Sequence, residues 1–418
     1  MWHPVDFING LKAIAKNPEV FINDLKRIVQ DPRFFSVDSV NKSAIILIAV
    51  LIGIFTIALY ANLGNISDRR DLKQNNALGT GSESRQDPNA PPIPPPTEVT
   101  SLRIYPIKSC RGIELTHTRL KKSGLLLDRN WMFIGPDRKF LTIRSDPSMT
   151  LIDTKVYESQ EDHNKGETFL EISIHGTDGR VTIPAFPSKT WLEQNTTLSS
   201  VEIWGAETDG YEYSAAINDI FKSFFNKDVA LIYKGPTSRM VAINGRKELY
   251  GTDTPHHFAD VMSLLVASEA SIKDLNNRLG HAPGSKDALT IERFRPNIII
   301  KGRDDHPWEE DTWKRIRIST TLPHEEALYK LDLDIVARCA RCQVPNVNPD
   351  TAEKHPKQPW DTLMSFRRVD TGGPAKWKPC FGMMAIPRNE GKIAVGAKVE
   401  CLETTDKHWY NERAFADL

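Results

Sequence analysis

The chain has 418 residues, 40% of them hydrophobic, and its 54 basic side chains balance 54 acidic ones to a formal net charge of zero. That balance provides no global basic field and so excludes nucleic-acid binding by bulk electrostatics. Five cysteines over this length make no disulfide framework, so a reactive thiol here is best served by a reducing, cytosol-facing compartment.

Residues 1–42 are polar and amphipathic. From Ser43 to Ser67 no residue is charged, and the apolar run at 44–61 matches the roughly 20 residues that span hydrocarbon, so 43–63 is expected to be a transmembrane helix. A cleaved secretory signal would carry a shorter apolar core nearer the start, which favours an uncleaved anchor. Lys26, Arg27, Arg33 and Lys42 on one side are matched by Arg69, Arg70, Lys73 and Arg85 on the other, so charge asymmetry does not orient it. Residues 64–98 are Gly, Ser, Asn, Gln and charges followed by a proline run at 91–96. They read as a disordered tether with a reach on the order of 30 Å.

About 320 residues remain, enough for two domains or one large one. Coarse periodicity, with turn residues such as Gly135-Pro136-Asp137 between, predicts strands at 101–107, 131–134, 169–174 and 201–204; helices follow at 215–226 and 271–279, the latter opened by Ser271 and Asp274 as a capping pair. Apolar strands follow at 297–300 and 331–336. The reading is α+β and β-dominated, with a few covering helices.

Three basic or polar clusters adjoin predicted strands: Lys108-Ser109-Cys110-Arg111-Gly112, Asp128-Arg129-Asn130-Trp131 and Arg293-Phe294-Arg295-Pro296-Asn297. Donors converging there suit an anionic cofactor, while the plain alternative for each is a solvated surface cation. The best candidate for a reactive centre is Arg338-Cys339-Ala340-Arg341-Cys342, followed by Asn348-Pro349-Asp350-Thr351. A thiolate is a soft ligand, and flanking guanidiniums favour the thiolate, so the segment suits a metal or a redox reaction. Three other readings stand beside it. Half of a zinc site would need a second close pair, which Cys110, Cys380, Cys401 and the isolated His355 do not supply. A thioredoxin-like motif would open a helix, which Pro345 and Pro349 oppose. Cys339 can also be a small buried residue, the usual place of a free cysteine.

Taken in order, Tyr105-Pro106-Ile107-Lys108-Ser109-Cys110-Arg111-Gly112, Asp128-Arg129-Asn130-Trp131, Ser268-Glu269-Ala270-Ser271 with Asp274-Leu275-Asn276, Phe294-Arg295-Pro296-Asn297-Ile298, and Cys339-Ala340-Arg341-Cys342 with Asn348-Pro349-Asp350-Thr351 resemble the MOSC proteins, the membrane-anchored mitochondrial amidoxime-reducing components in particular. The resemblance runs from about Ser101 to about Glu403. It implies a MOSC N-terminal β-barrel-like domain over 99–235 packed on a MOSC β-barrel domain over 236–404, with a tail at 405–418. It also implies a molybdenum-pterin cofactor between the domains and, for the wider family, pyridoxal phosphate binding.

By the same resemblance Cys342 is the protein ligand to molybdenum and the catalytic residue, and Lys108, Ser109, Arg129, Arg295, Asn297, Ala340, Arg341 and Cys342 bind the cofactor. The implied activity is reduction of N-hydroxylated compounds, amidoximes and hydroxylamines. Electrons would come from cytochrome b5 and its NADH-dependent reductase at the mitochondrial outer membrane, with the catalytic part facing the cytosol. The rival reading is a non-enzymatic molybdenum-cofactor carrier or sulfur-relay module. The chain departs from the family pattern at Ala340, Asn348, Met384 and the pair Val261-Met262, which bears on substrate range.

Overall fold

The computed structural model describes residues 88–162, 164–240, 247–251, 253–282, 284–322, 325–370 and 376–408. The expected anchor at 43–63, the segment before it and most of the tether lie outside these residues. Among the described residues no helix is long and apolar enough to cross a membrane.

The first half runs β1 (Thr97–Ile104), β2 (Ile113–Leu115), β3 (His117–Lys121), β4 (Gly124–Leu125), β5 (Trp131–Ile134), β6 (Ile152–Glu158), β7 (Thr168–Ile174), β8 (Arg180–Pro184), α1 (Lys189–Asn195), β9 (Thr196–Ile203), β10 (Ala206–Tyr213), α2 (Ala215–Phe225) and β11 (Ala230–Lys234). The second half runs β12 (Arg239–Met240), α3 (Lys247–Tyr250), β13 (Pro255–His256), β14 (Leu264–Ser268), α4 (Glu269–Arg278), β15 (Ile298–Ile300), β16 (Trp313–Thr321), β17 (Leu328–Ala340), α5 (Trp360–Phe366), β18 (Cys380–Pro387), β19 (Gly391–Ala394) and β20 (Lys398–Thr404).

Seven strands close into a barrel in the order β15-β14-β18-β17-β16-β20-β1, with β1 pairing back to β15. Closure removes the exposed edges that an open sheet of this size would present. Only β14 and β15 are parallel, joined by α4 as a crossover; the other neighbours are antiparallel. Along β16 the buried positions Trp313, Ile316, Ile318 and Thr320 alternate with wetter ones, apart from the irregularity after Trp313, as a barrel wall requires. The first strand of the chain is part of this barrel: β1 meets β20 through Thr97 and Glu98, then β2 through residues 102–104.

Between these barrel strands the first half builds a four-stranded sheet, β5-β11-β10-β9, and a meander, β6-β7-β8. Helix α2 covers the four-stranded sheet by setting Phe221 and Phe225 edge-on to Phe133, with ring centroids 4.9 and 5.6 Å apart. One hydrophobic core runs through both halves, taking Ile104, Trp131 and Leu231 together with Val266, Ile298, Leu333 and Met383.

Two local expectations need correction. Strand β1 ends at Ile104, because the Tyr105 amide donates to the Asp128 carboxylate at 2.8 Å and Pro106 has no amide to offer. Helix α4 is capped by Ser268, whose hydroxyl accepts from the amides of Ala270 and Ser271. Ser271 is fully buried and instead donates to Glu310 at 2.6 Å.

Candidate functional site

Loops at one end of the barrel and the turn before β5 converge on one cavity. Asp128 organises the turn: buried, it accepts from the Tyr105 amide and from Arg129 Nη1 on both oxygens at 2.6 Å. The Tyr105 ring then lies between two guanidiniums, Arg129 at 4.4 Å and Arg295 at 4.2 Å from its centroid. Arg295 is further tied by donation to the Cys110 carbonyl at 2.7 Å, and Arg129 donates to the Arg295 carbonyl at 3.3 Å. Burial pushes the Tyr105 phenol up to about 12 and pulls the Arg295 guanidinium down. Gly112 is required beside this stack, since a Cβ there would stand 2.6 Å from the Tyr105 ring.

Three non-glycine residues with positive φ supply side chains or backbone to the cavity: Ser109 at 69°, Arg129 at 52° and Arg295 at 59°. Such conformations are costly and gather at ligand clamps.

Lys108, 5% exposed, donates to the Phe258 carbonyl at 2.9 Å and pairs with Asp260. Burial lowers its ammonium to about 8 despite the attraction of Asp260. Asp260 is the half-exposed partner; whatever burial it has raises it, and Lys108 and Arg144 outweigh that, holding it well below the usual carboxylate range. At the other wall, β17 ends at Ala340 and delivers Cys339, Arg341 and Cys342. Arg341, buried, donates to the Cys339 sulfur at 3.1 Å and to the Phe294 carbonyl at 2.9 Å. Its Nε has no partner among the described residues. Cys339 is therefore a half-buried wall residue and not the small core filler that its type suggests.

All eight residues singled out from sequence, Lys108, Ser109, Arg129, Arg295, Asn297, Ala340, Arg341 and Cys342, line this cavity. Asn297 does so with its amide engaged in the barrel: it accepts from the Leu265 amide and donates to the Arg103 carbonyl, both at 3.2 Å. Of the departures from the family pattern, Val261, Met262, Ala340 and Met384 line the cavity, whereas Asn348 caps its own turn by accepting from the Asp350 amide.

Sequence reasoning missed Thr142, Arg144 and Asp260. Arg144 faces Asp260 at 3.7 Å and lines the same cavity as Cys342. Burial lowers its guanidinium, but Asp260 and then Cys342 outweigh that and raise it. No local pattern marks these residues, because only the fold brings residues 142–144 and 258–262 to β17.

The cavity thus presents five cations, Lys108, Arg129, Arg144, Arg295 and Arg341, against one lining carboxylate, Asp260, with two thiols at one wall. That donor set fits a phosphate-bearing ligand. Among the described residues no three His, Cys, Asp or Glu side chains are grouped to hold a metal ion unaided. A metal beside Cys342 needs other donors, and a pterin cofactor carrying its own sulfur ligands fits that requirement.

Comparison with known proteins gives two family matches: residues 97–228 match the MOSC N-terminal beta barrel domain and residues 253–400 the MOSC domain. The chain is 28% identical over 314 residues to mitochondrial amidoxime-reducing component 1 of Homo sapiens, covering 73% of this chain and 82% of that one. It is 29% identical over 309 residues to mitochondrial amidoxime reducing component 2 of the same species, covering 72% and 82%. It is also 30% identical over 292 residues to the molybdenum cofactor sulfurase of Oryza sativa subsp. japonica, covering 68% of this chain and 32% of that longer one.

Proposed function

This chain belongs to the MOSC family, and from that premise we propose that it is a molybdenum-cofactor enzyme that reduces N-hydroxylated compounds, amidoximes and hydroxylamines among them. The observation that carries the proposal is the single cavity that joins five cations to a thiol pair. Lys108, Arg129, Arg295 and Arg341 would hold the phosphate and pterin, helped by the Ser109 hydroxyl, while Asn297 keeps the β14, β15 and β1 ends in register beneath them. Cys342 would be the protein thiolate on the metal. When bound, the cofactor supplies a two-electron redox centre. The balanced reaction takes an amidoxime, two electrons and two protons to an amidine and water.

The chain's own residues set the conditions for this. Arg144 would offer guanidinium donors in the cavity that holds Cys342, where a substrate oxygen can be received. The Phe258, Leu264, Leu265 and Phe294 side chains form apolar wall that limits water. Electrons are proposed to come from cytochrome b5 and its NADH-dependent reductase. The anchor proposed at 43–63 would hold the enzyme beside them on the mitochondrial outer membrane, with the cavity facing the cytosol. Similarity to relatives named for amidoxime reduction in mitochondria supports this reading.

A cofactor carrier or sulfur-relay module is the second reading. It is favoured by the likeness to a molybdenum cofactor sulfurase and by Cys339 standing in the same cavity wall as Cys342. Purifying the full chain from a host that makes the cofactor tests both. The enzyme reading expects molybdenum and pterin near one per chain and reduction of benzamidoxime with a haem electron donor. Bound cofactor without turnover would favour the carrier, and stoichiometric zinc without molybdenum would overturn both.

A further inference from the structure

The hairpin between β9 and β10 turns on Trp204-Gly205, with Ile203 paired to Ala206 across it. Both turn residues have positive φ, 52° and 78°. A two-residue turn of this hand is best served by Asn-Gly, and a bulky residue there is an outlier. Hairpin closure does not explain the tryptophan, and neither does the core, because the residue is 53% exposed.

The indole is nevertheless fixed from three directions. Its Nε1–H donates to Asp260 Oδ1 at 3.0 Å, Phe140 meets it edge-on with centroids 5.0 Å apart, and the Arg144 guanidinium lies 4.9 Å from its ring centroid. Asp260 and Arg144 both line the cavity. Their side chains are 44% and 37% exposed, against 5% for Lys108, which places them at the mouth and the lysine deep inside. Arg144 and Cys342 line the same cavity. A strained, half-exposed aromatic ring is therefore held against Asp260 and Arg144, two residues at the mouth of the cavity that also holds Cys342, and strain of this kind is kept where the conformation has a use.

We infer that Trp204 is a specificity-determining residue whose exposed ring packs against flat, conjugated N-hydroxylated substrates, while Arg144 beside it receives their polar head. The inference rests on the reductase reading above. An aromatic ring on the carbon bearing the N-hydroxy group gains from the indole, and a short aliphatic substituent does not.

The test compares benzamidoxime with acetamidoxime on the full-length, cofactor-loaded protein. Trp204→Asn installs the favoured turn pair, so folding is protected while the platform is removed. The expected result is a fall of about tenfold in the benzamidoxime-to-acetamidoxime ratio of kcat/KM, the size of one lost aromatic contact. Trp204→Phe, which keeps a ring, restores most of the ratio. Without any reductant, benzamidoxime quenches a component of tryptophan fluorescence that is missing in Trp204→Phe, and acetamidoxime does not. An unchanged ratio in Trp204→Asn, or equal losses on both substrates, overturns the inference and leaves the reductase reading standing. A wild-type protein that turns over neither amidoxime overturns the reductase reading, and the quenching titration then decides the stacking on its own.

Discussion

Replacing Asp260 with Asn removes one charge from the cavity and little else, since the amide oxygen can still accept from Lys108 and Trp204. In the wild type, burial holds the Lys108 ammonium at about 8 instead of its ordinary 10.5, a cost of about 3 kcal/mol below that pH. The sign follows from the depressed base. Between about 8 and 10.5 the unfolded chain binds the extra proton, so stability rises with pH across that window. Asp260 opposes the depression. A contact ion pair at an effective dielectric near 20 gives about 4 kcal/mol, and halving it for the exposed carboxylate leaves about 2 kcal/mol, or about 1.5 pH units. Asp260→Asn should therefore start the stability rise about 1.5 pH units lower than in wild type. It should shift the loss of bound molybdenum, which follows the loss of the Lys108 charge, downward by the same interval. Urea unfolding and molybdenum retention after dialysis, each run from pH 6 to pH 10, read the two effects. Superimposable profiles for wild type and variant would refute the role given to the Lys108–Asp260 pair.

Tyr105→Phe keeps the ring between Arg129 and Arg295 but removes a buried hydroxyl that has no partner among the described residues, so urea midpoints should show unchanged or improved stability, by about 1 kcal/mol. A loss of that size would mean the hydroxyl is held. Glu310, buried beside Asp311, has its carboxyl raised to about 7, chiefly by burial, above its ordinary 4.5. Its contribution is complete below pH 4.5 and is lost as pH rises toward 7, so Glu310→Gln, which can still accept from Ser271, should stabilise the protein by about 3 kcal/mol at pH 8 and hardly at all at pH 4. A pH-independent effect in thermal melts would count against this.

The sequence made the β-dominated class legible because β7 and the middle of β17 alternate, because β5 is a short apolar run bounded by turn residues, and because the helices at 215–226 and 271–279 are bounded by serine and asparagine or glycine. It did not make β16, β18 or β20 legible. Their runs mix basic or small residues with apolar ones, and their burial is decided by barrel closure, which no local window contains. The capping assignment at Ser271 failed for a related reason: Ser268 and Ser271 are equally good caps locally, and only the buried Glu310 tells them apart. At the site, the eight residues found from sequence sit in short motifs beside strands and meet in one cavity. Arg144, Asp260 and Trp204 sit in no such motif. Their importance comes from one another, through contacts between residues about 60 and 115 positions apart in the chain, and local reasoning of the kind that finds caps and turns cannot reach that far.

The proposed reductase requires one cysteine of the pair to hold the metal and the other to support the wall. The most direct measurement is the benzamidoxime reduction rate, per bound molybdenum, of Cys342→Ala set beside Cys339→Ala. Loss of the soft donor should abolish reduction in Cys342→Ala. Cys339→Ala removes only the sulfur that accepts from Arg341 at 3.1 Å, at a stability cost of about 1 to 2 kcal/mol, and should keep most of its activity. Equal loss in both variants would contradict the single-ligand assignment, and a normal rate in Cys342→Ala would contradict the proposed enzyme itself.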